Sequence, residues 1–194
     1  MCMSPFLVLA ALLPAALLLL RVYRLDRIEK EPASVLWALL GCGAAAALLA
    51  YLLETLLTAL LDRWLVRGSM AYLAAENFLV VACTEELCKR LPVRHIFWRH
   101  RAFDYRFDAV VYCVFSALGF AALENVLYVA DSGFRTAVMR ALLSVPGHCF
   151  FAVYMGIYLG QAKMAERAAQ RYYIELPEET PGQYLRASLL VPTL

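Results

Sequence analysis

Stretches of apolar residues about as long as a membrane is thick constrain this chain more than any other feature. The hydrocarbon core of a bilayer is about 30 Å across and a helix rises about 1.5 Å per residue, so roughly 20 mostly apolar residues are needed to span it. The candidate spans are Pro5 to Leu20, Val35 to Leu61, Met70 to Cys88, Ala109 to Ala130 and Ala141 to Gly160. A sixth apolar run begins near Leu185 and reaches Leu194 as L-R-A-S-L-L-V-P-T-L, too short to cross. The expected fold is therefore all-α: a polytopic transmembrane helical bundle with five complete spans and a truncated sixth. Composition agrees, since 63% of residues are hydrophobic against about 45–50% in soluble domains. At 194 residues the chain has the length of one domain. It reads as a single integral-membrane domain over residues 1–194, ending within a late span. The net charge of +2 carries no nucleic-acid signal, so the expected surroundings are the lipid bilayer and membrane partners.

The first apolar run has no basic residue before it and no clear cleavage site before Arg21, so it reads as a retained span rather than a signal peptide. Basic residues then alternate between loops. Residues 21–34 carry Arg21, Arg24, Arg27 and Lys30, and residues 89–108 carry Lys89, Arg90, Arg94, Arg99, Arg101 and Arg106. Residues 161–184 carry Lys163, Arg167 and Arg171, whereas the other two loops hold only Arg63 with Arg67 and Arg135 with Arg140. By the positive-inside rule the three basic loops are cytoplasmic and the N-terminus lies outside, in a multi-pass protein of the cell membrane. His95 and His100 fall in the third loop and read as solvated or headgroup-facing. The six cysteines lie in or beside apolar spans without a C-x-x-C pair, which points to small buried residues rather than a disulfide framework. Glycines 41, 43, 156 and 160 mark surfaces where helices approach closely.

Three polar clusters interrupt the apolar segments. The first is Glu85, Glu86 and Lys89 in A-C-T-E-E-L-C-K-R. An acidic side chain at a membrane helix centre costs roughly 2.5 to 3.5 kcal/mol on insertion scales, so such groups usually mark a site. Lys89 is i+4 from Glu85 and i+3 from Glu86 and can pair with either. Adjacent helical residues point about 100° apart, so the two glutamates cannot do the same job. The second cluster is G-F-A-A-L-E-N, placing Glu124 beside Asn125 and one turn after Phe120. The third is S-V-P-G-H, where Pro146 and Gly147 should distort the helix beside His148. On a simple count Glu85 lies near the opposite membrane face from Glu124 and His148, so tilt or a broken third helix must bring them together. Glu54 and Glu76 lie near span ends and read as structural.

These motifs together resemble the PrsW intramembrane proteases. The resemblance rests on E-E-x-x-K at Glu85 to Lys89, F-x-x-x-E-N at Phe120 to Asn125, P-G-H at Pro146 to His148, and the opening Y-R-L-D-R-I-E-K-E-P. It implies membership of a wider superfamily with the type II CAAX prenyl endopeptidases, and site-1 cleavage of a membrane-bound anti-sigma factor. It also implies a late H-G-x-x-D motif, which this sequence does not reach: either the chain is part of a longer protein, the reading its unfinished last span favours, or it lacks part of the active site, and by itself it is expected to be inactive.

The expected activity is a peptidase acting on a single-span membrane protein. Glu85, Glu86, Glu124 and His148 are its candidate catalytic residues, with Lys89 and Asn125 in support. Either glutamate of the first pair would activate water, with Glu124 and His148 orienting it or stabilising the oxyanion. Glu86, Glu124 and His148 also form a candidate ligand set for zinc, but Lys89 beside them tilts the reading towards a metal-free glutamate scheme. The rival reading is a non-catalytic membrane scaffold or chaperone on the same fold.

Overall fold

The structure, a computed structural model, describes residues 4–26 and 29–172, with side chains as far as Ala168. Helix α1 (Pro5–Leu25) opens behind Ser4, whose hydroxyl accepts from the Leu7 amide at 3.4 Å, with proline at its first position, where a missing N–H costs nothing. Helix α2 (Ala33–Leu61) follows Pro32. Both helices show rows of exposed leucines at four-residue intervals, Leu9, Leu13 and Leu17 on α1 and Leu48, Leu52 and Leu56 on α2. Apolar faces of this size left uncovered are what a helix presents to lipid.

The third helix, α3, is one rod over residues 70–97 built from four pieces. Met70–Ala74 is α-helical behind a Ser69 cap, Ala75–Ala82 is π-helical, Cys83–Leu91 returns to α, and Pro92–Phe97 is again π-helical. Helix α4 (Arg106–Ser132) is the central element and is buried almost continuously from Asp108 to Ala121. Gly133, at φ 77°, turns the chain into α5, which runs as Phe134–Met139, a π-helical Arg140–Ser144 and Val145–Tyr172.

Glycines set the distances around α4. A Cβ on Gly43 would lie 2.0 Å from the Ser116 carbonyl oxygen, and one on Gly119 would lie 2.2 Å from that of Leu40, so α2 and α4 touch backbone to backbone. Gly156 and Gly160 do the same for α5, each with a Cβ that would fall 2.5 Å from α4 backbone, at Val110 and Arg106. The close approaches expected at 43, 156 and 160 are present, whereas Gly41 meets nothing within 4 Å.

Among the described residues four helices are long and apolar enough to cross a membrane: α1, α2, α4 and the α5 stretch Phe134–Ala168. The expected fifth crossing rests on α3, set apart by its Glu76, Glu85, Glu86 and Lys89. The sixth run lies outside the described residues, and no strand occurs among those that are described.

Three loops begin or end elsewhere than expected. The loop read as 89–108 is helical as far as Phe97, because Lys89, Val93 and Phe97 recur every four residues and all are buried. Of the basic residues that suggested a loop, Lys89, Arg90 and Arg94 lie on this helix, Arg99 and Arg101 remain in the turn, and Arg106 opens α4. Likewise α5 continues through 161 to Tyr172, α1 extends to Leu25, and the remainder of 161–184 lies outside the described residues.

The opening motif ties the α1–α2 turn to the core. Lys30 donates to the carbonyls of Tyr23 and Asp26, closing the end of α1, and the Tyr112 hydroxyl donates to Glu31 Oε2 at 2.6 Å. Burial pushes the Glu31 carboxyl up to about 7, against the Tyr112 hydrogen bond and helped by the nearby Asp108 and Asp26 charges.

Candidate active site

Lys89 organises the site. It is buried to 1% exposure, and its ammonium donates to Glu85 Oε2, Glu86 Oε1 and His148 Nδ1, each at 2.8 Å. Three acceptors for three N–H bonds allow an ammonium to sit out of water. Its backbone is fixed too, since the Ser116 hydroxyl of α4 donates to the Lys89 carbonyl at 2.7 Å. The Phe120 ring lies 4.5 Å below the charge.

This contact sets the tautomer of His148. Lys89 has no lone pair to offer, so Nδ1 must accept and the ring proton lies on Nε2. From there it points at Glu124 Oε2, 3.1 Å away, with Ser144 Oγ at 3.3 Å from the same nitrogen. Glu124 also accepts from Arg140 Nη2 at 2.7 Å, and Arg140 Nε donates to Asn125 Oδ1 at 2.5 Å. Asn125 closes the network by donating to the Ala11 carbonyl of α1 at 3.1 Å.

All four candidate catalytic residues thus join one polar network, with Lys89 and Asn125 as links in it. The depth conflict disappears because α3 runs on to Phe97, which puts Glu85 near the middle of the rod rather than at its end. Two of the three helices carrying site residues, α3 and α5, are π-helical shortly before Glu85 and His148, at Ala75–Ala82 and Arg140–Ser144. In α5 the cause is visible: Pro146 has no N–H for the carbonyl of Leu142, so the ladder must widen there.

Arg140 was missed by the sequence reading, which counted it as a loop charge. The available signal was its spacing, since Arg140, Ser144 and His148 recur every four residues on one helix face. Glu54 was misplaced in the other direction. It lines a cavity of about 660 Å³ between α2 and α4 together with Glu85 and Glu124, so its setting is the site and not the interface. Glu76, by contrast, accepts from Tyr72 at 3.3 Å, the structural role expected of it. A second cavity of about 410 Å³, between α3 and α5, is lined by Glu85, Glu86, Ser144 and His148. Glu85 borders both.

The chain matches the family described as "PrsW family intramembrane metalloprotease" over residues 31–182. It belongs to that family. It is 37% identical to Protease PrsW of Geobacillus kaustophilus (strain HTA426) over 168 residues, covering 87% of this chain and 71% of the relative. It is 33% identical to Protease PrsW of Halalkalibacterium halodurans over 168 residues, covering 87% and 75%. With Protease PrsW of Oceanobacillus iheyensis it shares 32% identity over 156 residues, covering 79% and 68%. No solved structure matches it. PrsW family membership and these relatives support a membrane protease function and peptidase activity, in keeping with the apolar helices.

The family's description implies a metal, and the residues fit one. Glu85, Glu86 and His148 offer ligand atoms within 4.8 Å of one another, and two carboxylates with an imidazole suit zinc. Glu86 Oε2 is buried without a hydrogen-bond partner among the described residues. The set suggested by sequence, Glu86, Glu124 and His148, differs from this group by one member, because Glu124 sits at the opposite ring nitrogen. A metal held by the group would compete with the Lys89 ammonium for the same lone pairs.

Proposed function

We propose that the chain is an intramembrane peptidase of glutamate type, with Glu86 as the base that activates water. One observation carries this reading. Of the three carboxylates around His148, Glu124 is held by Arg140 and His148, and Glu85 faces Lys89. Glu86 gives one oxygen to Lys89 and keeps the other buried and unpartnered. Glu86, which lines the α3–α5 cavity, takes a proton from a water there as the water oxygen bonds to the peptide carbonyl carbon. The ammonium of Lys89 stabilises the charge on the carbonyl oxygen. As the C–N bond breaks, protonated Glu86 returns its proton to the leaving nitrogen. His148, fixed by Lys89 and Glu124, keeps these groups in register. A metal held by Glu85, Glu86 and His148 would supply Lewis-acid polarisation of the same carbonyl.

The substrate class in this reading is a single-span membrane protein, and the resemblance supports site-1 cleavage of an anti-sigma factor and kinship with the type II CAAX endopeptidases. The test is reconstitution of the full-length protein that carries this chain in lipid vesicles with a single-span peptide, followed by mass spectrometry. Two fragments meeting within or at the edge of the span are expected. A peptide that stays intact, or is cut only in its soluble flanks, contradicts the reading.

A further inference from the structure

We infer that Glu54 is a specificity residue, selecting substrates that carry a lysine or arginine near the scissile bond. The inference rests on the peptidase reading and adds the chemistry of the substrate to it. Helices α2 and α4 touch where Gly43 meets Ser116 and Gly119 meets Leu40. They wall the cavity of about 660 Å³, whose lining runs from the exposed Tyr51 and Tyr128 to the buried Phe120 and includes Glu85 and Glu124. Its walls are mainly apolar, suited to a membrane-embedded segment, yet they carry carboxylates at Glu54, Glu85, Glu124 and Asp131.

Two of these charges are already balanced. Glu85 is paired with Lys89, and Glu124 with Arg140 and His148. Among the described residues no side chain hydrogen-bonds or ion-pairs with Glu54, and Asp131 accepts only from the Ser132 hydroxyl at 3.2 Å. The cavity therefore presents a partly buried carboxylate on α2 and an exposed one on α4, neither paired with a cation among the described residues. In an apolar wall the complementary group is a cationic side chain, because a charge-assisted hydrogen bond there replaces lost hydration on both partners. A Lys or Arg flanking the substrate span meets this condition. Because the cavity reaches Glu85, such a side chain would anchor the segment next to the water-activating group.

The test reads binding and not cleavage. The Glu86→Gln chain, in lipid nanodiscs, is titrated with fluorescent single-span peptides carrying Lys, Gln or Glu in turn at each residue flanking the span. At one position the Lys peptide should bind about tenfold more tightly than the Gln peptide. Adding Glu54→Gln should bring the two within about twofold, and Glu54→Lys should favour the Glu peptide. Asp131→Asn, at an exposed position, gives a second variant whose folding is not in question and should reduce the preference in part. Charge-blind binding at every position, or a preference that survives both Glu54→Gln and Asp131→Asn, overturns the inference. Failure of the full-length wild-type protein to cut would instead overturn the peptidase reading, since these titrations need no turnover.

Discussion

At the scale of single residues the account turns on Lys89. Its spacing from Glu85 and Glu86 made both ion pairs legible in the sequence, because helix geometry alone brings i+3 and i+4 neighbours together. Its third partner, His148 Nδ1, lies 59 positions away and depends on how α3 and α5 are placed. Periodicity within one segment carries no information about that. The same applies to Arg140, whose reach to Glu124 and Asn125 is a tertiary contact. Removing the ammonium should leave two carboxylates and an imidazole converging on an empty point, which is a metal site without its competitor. Lys89→Met is therefore expected to bind zinc about tenfold more tightly in titration calorimetry while losing peptide cleavage. Zinc affinity equal to that of the parent chain would show that Lys89 and a metal do not contend for these ligands.

At the scale of elements, close crossings and widened helices position the site. Sequence pattern located the helices well, because long apolar runs leave few alternatives in lipid. It placed their ends badly, since a basic residue at a helix end and one in a loop look alike until the apolar i, i+4 partners are counted. Small residues were likewise visible in the sequence, but which of them lie at a crossing was not. Gly41 and Gly43 separate these cases on one helix. Gly43→Ala pushes a methyl into the Ser116 carbonyl and should cost about 1–3 kcal/mol, whereas Gly41→Ala meets open space and should be neutral or stabilising by up to about 1 kcal/mol. Thermal midpoints in detergent should fall for the first and hold or rise for the second. Equal midpoints would mean that α2 and α4 do not cross there.

At the scale of the whole molecule, the bundle holds a charged network inside a protein whose outer faces are leucine-rich. The orientation proposed from charge has the α3–α4 turn, with its basic residues, in the cytoplasm and the N-terminus outside. A cysteine at Arg101, exposed in that turn, should react with an impermeant thiol reagent only after cells are permeabilised. Labelling in intact cells would invert the topology. The four catalytic candidates were legible because ionisable residues are so costly in apolar segments that any present stand out. Glu54 was not, since its proximity to a helix end offered an ordinary explanation.

A glutamate inside this network is proposed to activate water, and the decisive measurement is single-turnover cleavage of a vesicle-embedded single-span peptide by Glu86→Gln. Glutamine keeps the shape and the hydrogen bond to Lys89 but cannot take the proton. The cleavage rate is expected to fall by at least about 10²-fold, the usual contribution of a general base, with peptide binding and membrane insertion unchanged. Cleavage by Glu86→Gln at the parent rate would contradict the proposal.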